Sequence, residues 1–138
     1  MRDWSGVVIH HSLSHDVPWV EIDRWHRERG FRQIGYHYVI RRDGTIEPGR
    51  PLSLIGAHAR SPKPSRNTSH IGVCLTGDYS RDPPSEAQML AVIFCVRGLR
   101  RRFDIGVDRI ERHHDTCPGV MFPWDDFVYQ IMVEEVYQ

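Results

Sequence analysis

The 138-residue sequence predicts an α/β (α+β) fold: a single domain over residues 1–138, with a central mixed β-sheet of about five strands flanked by three main helices. Three observations carry that expectation. Short β-branched runs alternate with helix-period stretches in the order β-α-β-β-loop-β-α-β-α. An Asp-Gly pair at Asp43-Gly44 marks one antiparallel hairpin. No repeat, low-complexity tract or linker divides the chain, and its length suffices to bury one core.

The first strand is read at Gly6 to His11, where Val7, Val8 and Ile9 are bounded by Gly and Ser. Neighbouring strand residues point to opposite faces, so His10 and His11 do not easily serve one site together. Pro18 to Arg29 reads as a helix, with Pro18 in its first turn and Gly30 at its end. Ile22, Trp25, His26 and Arg29 share its docking face, and His26 is expected to be an amphipathic or surface residue. Gly35 to Arg41 reads as a strand that turns through Arg42 to Thr45 and returns over Thr45 to Glu47. His37, opposite Tyr36 on that strand, is expected in the core or supporting a site. Pro48 to Asn67 is a long connection with four prolines, a length that often carries function. Ile71 to Thr76 is the next strand. Ser85-Glu86-Ala87-Gln88 is a capping box opening a helix whose core face is Met89, Val92, Ile93, Val96, Leu99 and Phe103. Val107 to Arg112 reads as a short strand, and Pro123-Trp124 opens a last helix with Phe127, Ile131 and Met132 on one face.

Basic and acidic residues balance at 18 each. That balance excludes the basic excess of a non-specific nucleic-acid binder, and no nucleic-acid partner is expected. The local cluster Arg97, Arg100, Arg101 and Arg102 reads as a solvated helix end. No apolar run approaches bilayer-spanning length, so no stable membrane association is expected. The stretch Met1 to Gly6 lacks the apolar segment of a signal peptide, which points to synthesis and folding in the cytoplasm. A substrate outside the cell then requires another agent to release the chain. Cys74 and Cys95 lie in apolar runs and read as buried free thiols rather than a disulfide. A monomer is expected.

The chemistry concentrates in His113-His114-Asp115-Thr116-Cys117-Pro118-Gly119. Histidine nitrogen and cysteine thiolate are zinc ligands, and a catalytic zinc keeps three protein ligands so that water can take the fourth position. His113 and Cys117 come after the last sheet strand, with His114 as the alternative to His113. His10 lies near the end of the first strand. If those two strands are close neighbours, His10, His113 and Cys117 meet and form a zinc site that activates water.

Several spaced motifs then add a resemblance. They are Ile9-His10-His11-Ser12, Gly35 to Ile46, Gly56-Ala57-His58-Ala59, Asn67 to Gly77, Ser85 to Met89 and His113 to Gly119. Together, over nearly the whole chain, they resemble the zinc-dependent N-acetylmuramoyl-L-alanine amidases of type 2, the family of the peptidoglycan recognition proteins. The resemblance is closest to the small phage lysozymes, or endolysins, that are amidases. It implies Zn2+ held by His10, His113 and Cys117, with Tyr36 beside the reacting water. It implies hydrolysis of the amide between N-acetylmuramic acid and L-alanine, with peptidoglycan as partner and action on the cell wall after release. It leaves His58 and Asn67 as candidates for substrate binding, His58 for support of the site and Asn67 for tying down its loop. Family members carry a Lys or Thr two residues before the cysteine. Here the loop is shorter and Asp115 takes that offset, so Thr116 or His114 is left as the candidate catalytic helper. Contact with a phage RNA polymerase is implied by the phage lysozymes alone. A non-catalytic peptidoglycan binder and a cytoplasmic muropeptide-recycling amidase are the alternative functions.

Overall fold

The computed structural model describes residues 2–136, with side chains as far as residue 133. Residues 1, 137 and 138 of the expected 1–138 domain lie outside the described residues. Five strands form one mixed sheet in the order β3-β2-β4-β1-β5. They are β1 (Gly6–His11), β2 (Tyr38–Ile40), β3 (Ile46–Pro48), β4 (His70–Leu75) and β5 (Ile110–Arg112). The helices are α1 (Trp19–Glu28), α2 (Glu86–Phe103) and α3 (Trp124–Val136). The β2–β3 hairpin is antiparallel; β1–β4, β1–β5 and β2–β4 are parallel. No helix among the described residues is long and apolar enough to cross a membrane.

The two central strands, β1 and β4, are buried along their whole length, as parallel strands covered on both faces must be. One face carries Val7, Ile9, Ile71, Val73 and Leu75 and packs against Val92, Val96 and Leu99 of α2 and Phe127 and Ile131 of α3. The other face meets α1 and the segments flanking it through Val17, Ile22, Ile34 and Val39. Helix α2 starts where the capping box places it. The Ser85 hydroxyl accepts from Gln88 N–H at 3.0 Å, and the Gln88 side chain accepts from Ser85 N–H at 3.2 Å.

Several expectations need correction. The second strand is confined to Tyr38–Ile40, because Gly35 and Tyr36 give their carbonyls to the long connection instead of a neighbouring strand. Ala57 N–H donates to Gly35 and Arg50 N–H donates to Tyr36. A side chain at Gly35 would put its Cβ 2.1 Å from the Ala57 carbonyl oxygen, so this close approach requires glycine. Val107–Arg109 is a 3-10 turn and only Ile110–Arg112 is strand. Met132 is 46 % exposed, since it sits one residue off the Phe127–Ile131 line that faces the core. The arginine cluster is not simply solvated. Arg100 is buried and donates to the Ile105 and Ile131 carbonyls, and Arg97 donates to the Gln130 carbonyl, so both tie α2 to the chain beyond it. Cys74 and Cys95 are buried free thiols, as expected.

His26 is buried rather than on the surface, and its Nδ1 accepts from Gly35 N–H at 2.9 Å. His37 is buried too: Nδ1 accepts from Gly72 N–H at 3.0 Å and Nε2 donates to the Leu54 carbonyl at 3.0 Å. Both rings serve as polar spacers that satisfy backbone groups between the sheet and the irregular chain packed on it. Burial lowers each of their pKa values to about 4. In the unfolded chain a histidine titrates near ~6.5. The unfolded state therefore binds more protons than the folded state between these two values, and stability falls as pH drops through that window. These two histidines alone contribute a slope of roughly 2–3 kcal/mol per pH unit near pH ~5. Denaturant titrations of metal-free protein at pH 7, 6 and 5 are expected to show a steep loss of stability below pH 6. A flat profile across that range would contradict the neutral, buried assignment.

Candidate metal centre

Strands β1 and β5 are adjacent and parallel, so their carboxyl ends lie side by side. This is the edge of an open α/β sheet where sites are usually built. His10 stands next to last in β1. Past β5 the chain closes a tight loop, in which His114 N–H donates to the Cys117 carbonyl and Cys117 N–H donates to that of His114. Gly119, at φ +105°, comes next at a point where a Cβ would lie within 2.5 Å of the Tyr79 backbone. The outcome is a cluster of three donors. One ligand atom from each of His10, His113 and Cys117 lies within 4.8 Å of the others, and Cys117 Sγ is 3.7 Å from His10 Nδ1. Strand alternation sends His11 the other way, where Nδ1 accepts from Tyr79 N–H at 3.0 Å.

Hydrogen bonds determine which nitrogen each histidine presents. His58 Nε2 lies 2.9 Å from the His70 carbonyl, which can only accept, so Nε2 carries the proton. A neutral imidazole has one proton, so His58 Nδ1 is an acceptor. It lies 2.9 Å from His10 Nε2, which must donate. His10 Nδ1 is left with an unshared pair, and it is the nitrogen facing Cys117. His113 obeys the same rule: Nε2 donates to the Ser61 carbonyl at 2.9 Å and leaves Nδ1 as a lone-pair donor. Burial, reinforced by His58 and His113, holds His10 well below its ordinary pKa. Burial takes His58 down to about 3 and also lowers His113. All three rings are therefore neutral near pH 7. Burial pushes the Cys117 thiol up to about 11, against a hydrogen bond from the His11 backbone that favours the thiolate. Two neutral imidazole nitrogens and a thiol that needs a cation to ionise are a donor set that fits a zinc ion and leaves it an open position.

The long connection supports this cluster. Asn67 Oδ1 accepts from both His58 N–H and Ala59 N–H at 2.8 Å, which fixes the segment carrying His58. The Arg66 guanidinium donates to the carbonyls of Arg112 at 2.9 Å and His113 at 2.6 Å, and pairs with Glu111 at 3.0 Å. A Cβ at Gly72 would lie 2.6 Å from the His58 ring, so glycine in β4 makes the room that His58 occupies.

The cluster opens into a cavity of about 570 Å3 lined also by Tyr36, His58, Asn67, Phe31, Arg29 and Arg60. Tyr36 has its ring centroid 5.0 Å from that of His10, and it neighbours Cys74 and Cys117. Burial, then the neighbouring Cys74 and Cys117, raises the phenol well above its ordinary pKa, so it is a neutral donor. Of the sequence-predicted site residues, His10, Tyr36, His58, Asn67, His113 and Cys117 share this cavity and Thr116 does not. Thr116 is exposed, with its hydroxyl 3.0 Å from Nδ1 of the equally exposed His114. His58 uses both ring nitrogens on the protein, which suits support of His10 rather than substrate contact. Sequence reasoning missed His26, Arg29, Arg60, Ser61 and Arg66 as residues of the site; the available signal was that Arg60, Ser61 and Arg66 adjoin the motifs Gly56-Ala57-His58-Ala59 and Asn67 to Gly77.

A model of the family described as N-acetylmuramoyl-L-alanine amidase matches residues 1–120. The endolysin of Enterobacteria phage K11 is 38% identical over 108 residues, which is 75% of this chain and 68% of that protein. The endolysin of Klebsiella phage KP32 is 34% identical over 125 residues, covering 85% and 79%. Among solved structures, the N-acetylmuramoyl-L-alanine amidase LysC from Clostridium intestinale URNW superposes with a TM-score of 0.87 at 30% identity, covering 95% of this chain and 87% of that one. Drosophila PGRP-LB superposes with a TM-score of 0.74 at 28% identity, covering 86% and 76%. A sheet-edge cluster of two histidines and a cysteine, on a fold shared with these proteins and matched over residues 1–120, places the chain in the N-acetylmuramoyl-L-alanine amidase family.

Proposed function

We propose that the chain hydrolyses the amide joining N-acetylmuramic acid to L-alanine in peptidoglycan, in the manner of the phage endolysins it is similar to. The observation that carries this reading is the convergence of His10 Nδ1, His113 and Cys117 at the floor of an open cavity. In this reading these three residues hold Zn2+. When bound, the ion supplies a Lewis acid and lowers the pKa of water towards neutrality.

The chain's own residues do the rest. Cys117 gives up its thiol proton as the ion binds. His58 keeps the proton on His10 Nε2 and so keeps Nδ1 available. Tyr36 donates a hydrogen bond to the carbonyl oxygen as negative charge develops on it. Burial keeps both the phenol and the neighbouring Cys74 thiol protonated, so the phenol has a proton to donate. Among the described residues no Lys or Thr lines the cavity; Arg29 and Arg60 are its cations. In this reading the protein is made in a host cytoplasm and reaches the wall after release by another protein.

Purified protein is expected to hold one zinc per chain and to release new L-alanine amino groups from peptidoglycan without new reducing sugars. Chelation abolishes the release and zinc restores it; zinc-loaded protein that leaves peptidoglycan intact would falsify the amidase reading. Cys117→Ser is expected to lose zinc in a chelator competition. Tyr36→Phe keeps the metal but loses on the order of 10²–10³ in kcat; unchanged turnover removes Tyr36 from the reaction. His58→Phe removes the acceptor for His10 Nε2–H and is expected to weaken zinc binding by about 10–100-fold. Wild-type affinity in that variant would show that His58 does not orient His10.

A further inference from the structure

The chain as a whole is neutral, with 18 basic and 18 acidic residues. Its charge is not evenly spread. A second cavity, of about 510 Å3, adjoins the metal pocket and shares His113 with it. Across the two cavities the basic lining residues are Arg29, Arg60, Lys63, Arg66, Arg109 and Arg112, and the single acidic one among the described residues is Glu111.

Glu111 is already satisfied from within the protein. Arg66 pairs with one carboxylate oxygen at 3.0 Å and His70 Nε2 holds the other at 2.7 Å. Arg109 stands farther off, at 3.8 Å, with its side chain 47% exposed. Lys63 is exposed between two prolines, and the exposed Arg112 lies over the Trp124 ring at 4.9 Å. Lys63, Arg109 and Arg112 therefore bring a local excess of positive charge to a concave surface next to the metal pocket. Such a surface attracts anions, and guanidinium groups match carboxylates in particular.

We propose that this second cavity is a subsite for the carboxylates of a stem peptide neighbouring the one being cleaved, so that the enzyme grips polymeric wall beside the scissile amide. The inference rests on the amidase reading, which supplies the polymer. Stem peptides carry free carboxylates on the same covalent network as the reacting bond. A second contact on that network adds avidity without touching the reacting atoms.

The experiment compares wild type with the triple variant Lys63→Gln/Arg109→Gln/Arg112→Gln. One arm measures kcat/KM on intact peptidoglycan and on a soluble muramoyl-tripeptide. The preference for polymer over fragment is expected to fall at least fivefold in the variant, and added salt is expected to erode the wild-type preference. The other arm sediments chelator-treated protein with insoluble peptidoglycan. Wild type co-sediments more than the variant, and amidating the wall carboxylates removes the difference. Equal polymer preference and equal sedimentation of the two proteins overturn the subsite. A difference that survives amidation and disappears when phosphate-bearing wall polymers are stripped overturns its carboxylate specificity. If wild type cuts neither substrate the amidase reading fails, while the sedimentation arm still decides the subsite. Should the triple variant not fold, Lys63→Gln alone is expected to lower the preference at least twofold, and no change overturns the proposal.

Discussion

A backbone carbonyl can accept a hydrogen bond but never donate one, and at His70 that constraint orders the centre of the molecule. It places a proton on His58 Nε2, makes His58 Nδ1 an acceptor, puts the proton of His10 on Nε2, and leaves His10 Nδ1 facing Cys117. Each assignment is forced because a neutral imidazole has one proton and two nitrogens. The proton order holds only while the rings stay neutral, and burial ensures that they do. Desolvation, which elsewhere is a cost of burying polar groups, here maintains the tautomers that turn a lone pair of His10 toward Cys117.

Building that relay takes space as well as polarity. His58 belongs to an irregular connection, yet its ring must reach across β4 to His10 in β1. Glycine at position 72 lets it lie directly on the sheet, where any side chain would collide. Asn67 then pins the backbone on either side of the His58–Ala59 peptide, so the ring is held by its main chain as well as by its nitrogens. Parallel pairing of β1 with both β4 and β5 brings the far end of the relay to the same sheet edge as the loop carrying Cys117. Hydrophobic packing of α2 and α3 covers the opposite face and keeps that edge in register.

Much of this was legible in the residues. The β-branched run at Gly6–His11, the capping box at Ser85 and the Asp-Gly turn each carry a local physical signal, and the elements they predict are present. The three donors were legible because few residue types can ligate zinc. The losses have a common cause: they depend on contacts distant in sequence. Gly35 and Tyr36 have strand-like composition, but the carbonyls they would give a sheet are taken by Ala57 and Arg50. His26 has an amphipathic position, and only the approach of Gly35 buries it. Arg100 lies in a run of arginines that looks solvated until α3 is packed beside it. Thr116 is adjacent in sequence to a donor, but the tight turn that presents Cys117 directs its neighbour toward solvent.

The short loop from His113 to Cys117 gains its support from outside itself. Its own backbone supplies two hydrogen bonds, between His114 and Cys117. The decisive contacts come from the long connection: the Ser61 carbonyl orients the His113 ring, and Arg66 grips the His113 carbonyl and the residue before it. That same connection carries His58, which orients His10. Both histidine donors thus depend on one irregular segment held by Asn67, Arg66 and its pairing with Glu111, while Cys117 depends on the loop. An ion shared by all three would join two separately held parts of the chain, and its binding free energy would stabilise their relative placement. The connection between Pro48 and Asn67 is therefore as much a part of the candidate metal centre as the residues that supply the donors.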